Sequence, residues 1–432
     1  MSLGRLILRN GRVVDLANGI DEVRDVAIDR DAGGVIQKVG RGIPPAPGDE
    51  VVECDGLVVA PGFVDMHVHL REPGREDKET IESGGQAAAA GGFTSIACMP
   101  NTQPVNDDQS VTEFITAQAR RLSPVRVHPI GAITKGLRGE ELSEIGELVR
   151  LGCVAISDDG VPVSSGFMMR KALEYARMFG IPVINHAQDH GLSSGGVMNE
   201  GYYSTVLGLK GMSVVAEEVM VFRDLLLAEL TGGCLHVPHL SSARSLDLVR
   251  QARARGVNVT CEVAPHHFSL TDEAVCGYDT STKMNPPLRS AADREALIEG
   301  IRDGTVDAIA SDHAPHCQEE KEVEYDRAPF GVVGLETSVP LGLDRLVRPG
   351  HIDLPRFVQL YSTGPARILR LAAGTLSSGA AGDVTVFSTT RETIVKPESF
   401  RSRSRNTPFA GWKLAGAVMM TIVGGRVVFT AI

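Results

Sequence analysis

The hydrophobic positions of this chain change period twice. At its two ends, in "GRLILRNGRVVDLANGIDEVRDVAID" and in "GDVTVFSTTRETIV" with the later "AGAVMMTIVGGRVVFT", apolar and polar residues alternate and are punctuated by Asn-Gly and Gly-Gly. A period of two marks half-buried strands, and those dipeptides favour tight hairpin turns. Both termini are therefore expected to pair into one small β-sandwich, residues 1–57 with 372–432.

From 58 to 371 the pattern is different, because short β-branched runs alternate with amphipathic stretches, as in repeated β/α units. Eight candidate strands can be counted. The first four are "VVAPGFVDMHVH", "FTSIACMPN", "VRVHPIGAI" and "CVAISDD". The second four are "IPVINHA", "CLHVPHLS", "VNVTCEVAPHH" and "VDAIASDHAPH". Among the helical stretches, "VVAEEVMVFRDLLLAEL" spaces Val215, Val219, Phe222, Leu226 and Leu230 along one helix face, expected to be the buried one. Eight such units favour a closed (β/α)8 TIM-like barrel over an open sheet, so the expected class is α/β with a terminal β-sandwich.

The polar residues that interrupt these strands are not scattered at random. His67, His69, Asp159, His186, His239 and Asp312 all stand at or just past the C-terminal ends of candidate strands. In a barrel those ends converge on the face where active sites are built, so residues far apart in sequence become one cluster. Residues two apart on a strand share a side, which lets His67 and His69 reach one ion together. Taken singly, His186 or His239 reads as an ordinary core histidine. The joint placement is what points to a metal. Imidazole nitrogen with carboxylate oxygen and no thiolate suits Zn, with Mn, Co and Fe also open. Asp158 and Asp159 are adjacent and face opposite ways, so only one turns inward, and periodicity does not choose between them.

Composition narrows the partners. A formal net charge of -11 over 432 residues lacks the basic footprint that nucleic acid or an anionic membrane surface requires. The short stretch "FRSRSRN" reads as a solvated loop. An anionic small substrate remains compatible if a cation is supplied locally, and Arg71, two residues after His69, is placed to supply it. Asn101 and His316 would join it from the ends of the second and eighth strands. Seven cysteines without a CxxC pair fit a reducing compartment. With neither a signal-peptide pattern nor an apolar run of bilayer length, a soluble cytoplasmic protein is expected.

The segments "GFVDMHVHLREPG", "GGFTSIACMPNTQP", "SDDG", "NHAQD", "KMNPPLR" and "SDHAPH" together resemble the class I dihydroorotases of the amidohydrolase superfamily, and MPNT, SDDG and NPPLR set them apart from hydantoinases and allantoinases. The resemblance implies that His67 and His69 hold a first Zn with Asp312, and that His186 and His239 hold a second. An aspartate takes the bridging place of a carboxylated lysine in relatives; spacing to His186 assigns it to Asp159, with Asp158 less favoured. An aspartate is the shorter group, so one or two Zn per chain are expected. The implied reaction is reversible hydrolysis of dihydroorotate to N-carbamoyl-L-aspartate in pyrimidine biosynthesis. Metal-bound hydroxide is the implied nucleophile, and Asp312 the general acid and base. Arg71, Asn101 and His316 would grip the substrate carboxylate, and Asn285 the ring's amide edge. His266 and His267 are expected to be structural. Two alternatives remain, a cyclic amidohydrolase of the allantoinase or hydantoinase kind and a non-catalytic partner of aspartate transcarbamoylase. An active chain that binds that transcarbamoylase, and a homo-oligomer, are also expected.

Overall fold

The computed structural model describes residues 4–431. Strands from both ends of the chain share one eight-stranded sheet, the terminal β-sandwich. Its middle is where the ends meet: Val58–Pro61 pairs parallel with Arg5–Asp15 on one side and antiparallel with Val384–Ile394 on the other. The sequence pattern assigns Val58–Pro61 to the start of the barrel, but its ladder bonds place it in the terminal sheet. The hand-over to the barrel is abrupt. Gly62 separates the two strands, and a Cβ there would stand 2.1 Å from the Thr94 hydroxyl, so only glycine fits.

All eight expected barrel strands are present. Phe63–Val68, Phe93–Cys98 and Arg126–Pro129 form one parallel ladder. Ile156–Ser157, Val183–Ile184, Leu235–Val237, Val259–Val263 and Ala308–Ile309 form a second. The two ladders join at both margins. A parallel bridge links Gly131 to Ile156, and at the other margin Val68 bridges to His313. There the His69 amide donates to the His313 carbonyl at 2.8 Å, and the Ser311 amide donates to the buried Asp65 carboxylate at 3.1 Å. The ring is closed. A cluster of aromatic side chains seats it on the sandwich: Phe63 packs with Phe93, Phe357 and Tyr361 and, 5.6 Å between centroids, with Phe387 of the terminal sheet. Each such pair adds about 0.5–1.5 kcal/mol beyond area burial.

One expectation fails. The helix Val215–Thr231 exposes Val215, Val219, Phe222, Leu226 and Leu230 and buries Ala216, Glu217, Met220, Val221, Asp224, Leu225 and Ala228. Two acidic residues on the inner face misled the periodicity. Both are satisfied: Glu217 accepts from the amides of Ser241 and Ser242, and Asp224 from the Asn185 amide at 2.6 Å. No helix among the described residues is long and apolar enough to cross a membrane.

Candidate metal and substrate site

The six residues expected to converge do so at one mouth of the ring. The pairing register of the first strand shifts between Asp65 and Val68, the stretch that carries His67. His67 Nε2 lies 3.5 Å from both Asp159 Oδ1 and Asp312 Oδ1, and His69 Nε2 lies 3.4 Å from Asp159 Oδ2 and 3.3 Å from Asp312 Oδ1. On the far side, His186 Nδ1 is 2.9 Å from His239 Nε2, and both face Asp159 at 3.8 and 3.7 Å. Asp159 is the hub. Asp158 turns the other way, where its carboxylate accepts the amides of Ile133 and Thr134 at 2.7 and 3.0 Å and the Thr134 hydroxyl.

Donor chemistry and geometry fit a divalent cation. Two triads, His67–Asp159–His239 and His67–His69–Asp312, each bring their donor atoms within 4.8 Å of one another, and every member is buried. His67 Nε2 and Asp159 Oδ1, 3.5 Å apart within the cluster, have no hydrogen-bond partner although buried. Buried polar groups are rarely left so, and an ion accounts for such orphans. Electrostatics agrees. Burial alone would raise the Asp159 and Asp312 carboxyls, but the adjacent His67 and its neighbouring imidazoles hold both well below the usual carboxylate range. Both are anions at neutral pH, as ligands must be. His186 is pushed down to about 4, by burial first and by His239 next, and so stays neutral with a lone pair to offer.

The backbone is strained at this mouth. Arg71, His239 and Asp312 have φ of 60°, 33° and 48°, in the left-handed region that non-glycine residues seldom occupy. Such outliers cluster where surrounding structure enforces a functional geometry.

The four expected substrate residues fare unevenly. Arg71 has no carboxylate within 4.0 Å among the described residues; its Nε donates to the Pro315 carbonyl at 3.3 Å. Burial lowers this guanidinium to about 10, so it remains a cation. Asn101 is partly committed, with Oδ1 2.9 Å from His69 Nδ1 and Nδ2 3.4 Å from the Asp159 carbonyl. His316 is engaged at both nitrogens: Nε2 meets the Phe330 carbonyl at 2.8 Å, and Nδ1 meets Lys78 and Glu320 at 3.3 Å each. Asn285 Nδ2 donates to Gln188 Oε1 at 2.6 Å and lies 3.2 Å from His186 Nε2. His266 and His267 are buried behind the cluster, and His267 Nε2 meets the Pro286 carbonyl at 3.0 Å.

Three residues were not foreseen. Glu262, on the seventh strand, places Oε1 2.9 Å from His67 Nδ1 and Oε2 3.2 Å from His236 Nε2. His236 in turn meets Thr260 at 2.8 Å through Nδ1. Asp65 binds the backbone beside the eighth strand. The available signal was a charged residue within an otherwise apolar strand, "CEV" and "FVDM", since such charges are almost never fully buried without partners.

Comparison with known proteins sharpens the assignment. A family model described as Dihydro-orotase-like matches residues 56–245. A dihydroorotase of Geobacter metallireducens is 52% identical over 98% of this chain and 99% of its own length. One of Pelotomaculum thermopropionicum is 55% identical, covering 98% of each chain. Among solved structures, the L-hydantoinase (dihydropyrimidinase) of Arthrobacter aurescens superposes with a TM-score of 0.88 at 26% identity, over 98% of this chain and 95% of that one. A barrel with such a mouth and such relatives is a cyclic amidohydrolase. The chain belongs to the dihydroorotase family.

Proposed function

We propose that this site interconverts (S)-dihydroorotate and N-carbamoyl-L-aspartate, and that Arg71 is what selects this ring. A guanidinium without a carboxylate partner, at the exit of the strand that carries His67 and His69, calls for an anion from outside, and dihydroorotate carries one. His67, His69 and Asp312 would hold one Zn, and His186 and His239 a second, with Asp159 between the two. A divalent cation supplies Lewis acidity to the ring carbonyl and activates water for attack. Asp312 takes the proton of the attacking water and delivers it to the departing ring nitrogen; ring closure reverses both transfers. Asn101 fixes the tautomer and tilt of His69 and, with one Nδ2 hydrogen on the Asp159 carbonyl, has its second Nδ2 hydrogen to offer the substrate. Asn285 approaches the amide edge of the ring from the His186 side. His316 reaches the substrate carboxylate only by giving up Phe330 or Lys78, so its share in binding is smaller than that of Arg71.

The hydantoinase reading has the solved structures in its favour, and a neutral ring leaves Arg71 idle. Metal-replete protein is expected to turn over dihydroorotate and to leave hydantoin and allantoin nearly untouched. Absence of dihydroorotate turnover, with and without aspartate transcarbamoylase, would overturn the assignment. We further propose a cytoplasmic homo-oligomer able to bind that transcarbamoylase. The working division keeps residues 1–57 and 372–432 as sandwich and 58–371 as barrel, with Val58–Pro61 as the seam.

A further inference from the structure

On the dihydroorotase reading above, on which this inference depends, we propose that Asn406, in a loop of the terminal sandwich, is a positioning residue for the substrate carboxylate. It clamps the turn that orients Arg71 and carries His316. The stretch "FRSRSRN", expected to be a solvated loop, is solvated on one side only. It lies in the connection between the terminal-sheet strands Val384–Ile394 and Lys413–Val423. Arg401, Arg403 and Arg405 are exposed, whereas Ser402, Ser404 and Asn406 are buried. An extended segment sends every second side chain to the same side, and here the inward ones are all polar, so each needs a partner.

The partners are the loops that follow the first and eighth barrel strands. Ser402 donates its hydroxyl to the Glu79 carboxylate, and Ser404 donates to the Lys78 carbonyl at 2.8 Å. Lys78 in turn brings Nζ to 3.3 Å from His316 Nδ1. Asn406 enters the second loop. Its Nδ2 donates to the carbonyls of Ala314 and Gly331 at 3.1 and 3.0 Å, and its Oδ1 accepts the His316 amide at 3.2 Å. Both Nδ2 hydrogens are thus used, and only this orientation of the amide satisfies all three groups. Ala314 and His316 bracket Pro315, whose carbonyl accepts from Arg71 Nε at 3.3 Å. One buried side chain therefore holds the turn on both sides of the acceptor that steadies the guanidinium, and holds the backbone from which the His316 ring projects. Gly331 fits closely against that turn, since a Cβ there would stand 2.7 Å from the Ala314 Cβ and 3.2 Å from His316 Nε2. Asn406 makes none of its side-chain bonds to an expected metal ligand, so its effect falls on substrate binding rather than on the ion.

Steady-state kinetics and Zn affinity of the full chain test this. Asn406→Ala should raise KM for dihydroorotate at least about tenfold, with kcat changed less than about threefold and Zn affinity by chelator competition unchanged, because a displaced guanidinium loses its ground-state grip. In the Arg71→Lys background the same change should add less than about threefold, since the contact it supports is already lost. Arg403→Ala, on the outer side of the same segment, should leave KM as it is. Asn406→Ser, a smaller loss of the same bonds, carries the test if Asn406→Ala does not fold. The unaltered protein gives a further readout. Hydrogen exchange in 401–407 should slow when an equilibrium mixture of dihydroorotate and N-carbamoyl-L-aspartate is added, because the bound carboxylate anchors the turn that Asn406 holds. Unaltered, metal-replete protein without turnover would sink the dihydroorotase reading and this one with it. Turnover with an unchanged KM in the variant, a loss confined to kcat or Zn affinity, full additivity with Arg71→Lys, or no slowing of exchange would each overturn the role of Asn406 alone.

Discussion

Glu262 Oε1 sits 2.9 Å from Nδ1 of His67, so a carboxylate on the seventh strand fixes which nitrogen the first strand's histidine turns to the metal mouth. Carboxylate–histidine pairs of this kind orient the ring and raise its basicity. Glu262→Gln keeps the volume and removes the charge. Metal affinity should fall about 10- to 100-fold, read by chelator competition on the apo-protein, with an altered Co(II) absorption spectrum. Unchanged affinity and spectrum would show that His67 is oriented by packing alone.

Asp312→Asn should reduce kcat by at least about 100-fold while dihydroorotate still binds, because the proton carrier is lost and the side-chain volume is kept. A loss below about tenfold, or ~1.4 kcal/mol, would assign the proton transfers to another group.

Asp158 and Asp159 should separate cleanly. Asp158→Ala removes the acceptor of two backbone amides and should cost about 1–3 kcal/mol of stability with Zn binding little changed. Asp159→Ala should do the reverse, weakening the site of His186 and His239 more than that of His67 and His69. Reconstitution with Zn should also be indifferent to bicarbonate, since no lysine has to be carboxylated. Zn titrations of the three proteins in degassed and bicarbonate buffer check all of this together.

Arg71→Lys keeps the charge and loses the fork. KM for dihydroorotate should rise at least about tenfold with kcat changed much less, the signature of lost ground-state binding. Steady-state kinetics of the two proteins decide it.

Glu336 offers a pH effect remote from the chemistry. Burial pushes its carboxyl up to about 7, against amides of Arg401 and Ser402 that pull it down. A folded pKa above the unfolded value near 4.5 means stability that is full below about 4.5 and lost as pH rises through about 7. Glu336→Gln, which never ionises, should therefore gain on the unaltered protein between pH 5 and 8, by an amount of the order of 2 kcal/mol. Melting temperatures of both proteins at the two pH values test the sign.

The barrel and its mouth were legible because strand periodicity and strand-end histidines are local features that the fold then gathers. Three things escaped. The buried face of Val215–Thr231 was misread because Glu217 and Asp224 are satisfied by Ser241, Ser242 and Asn185, partners that exist only in the folded chain. Glu262 and Asp65 escaped for the same reason, each being paired with a residue about 200 or more positions away. The choice between Asp158 and Asp159 turned on the backbone amides of Ile133 and Thr134, which no spacing rule exposes.

The margin where Val68 bridges to His313 joins segments almost 250 positions apart, and a cation shared by His67, His69 and Asp312 would span that same margin. The ion would then act as a clasp on a hoop. Only a chain that has closed presents all three ligands, so each binding event selects finished rings from open ones, and mass action pulls late folders shut. For so distant a pairing, loop closure is the slow part of folding. The same atoms that activate water would thus also record that the ring has closed.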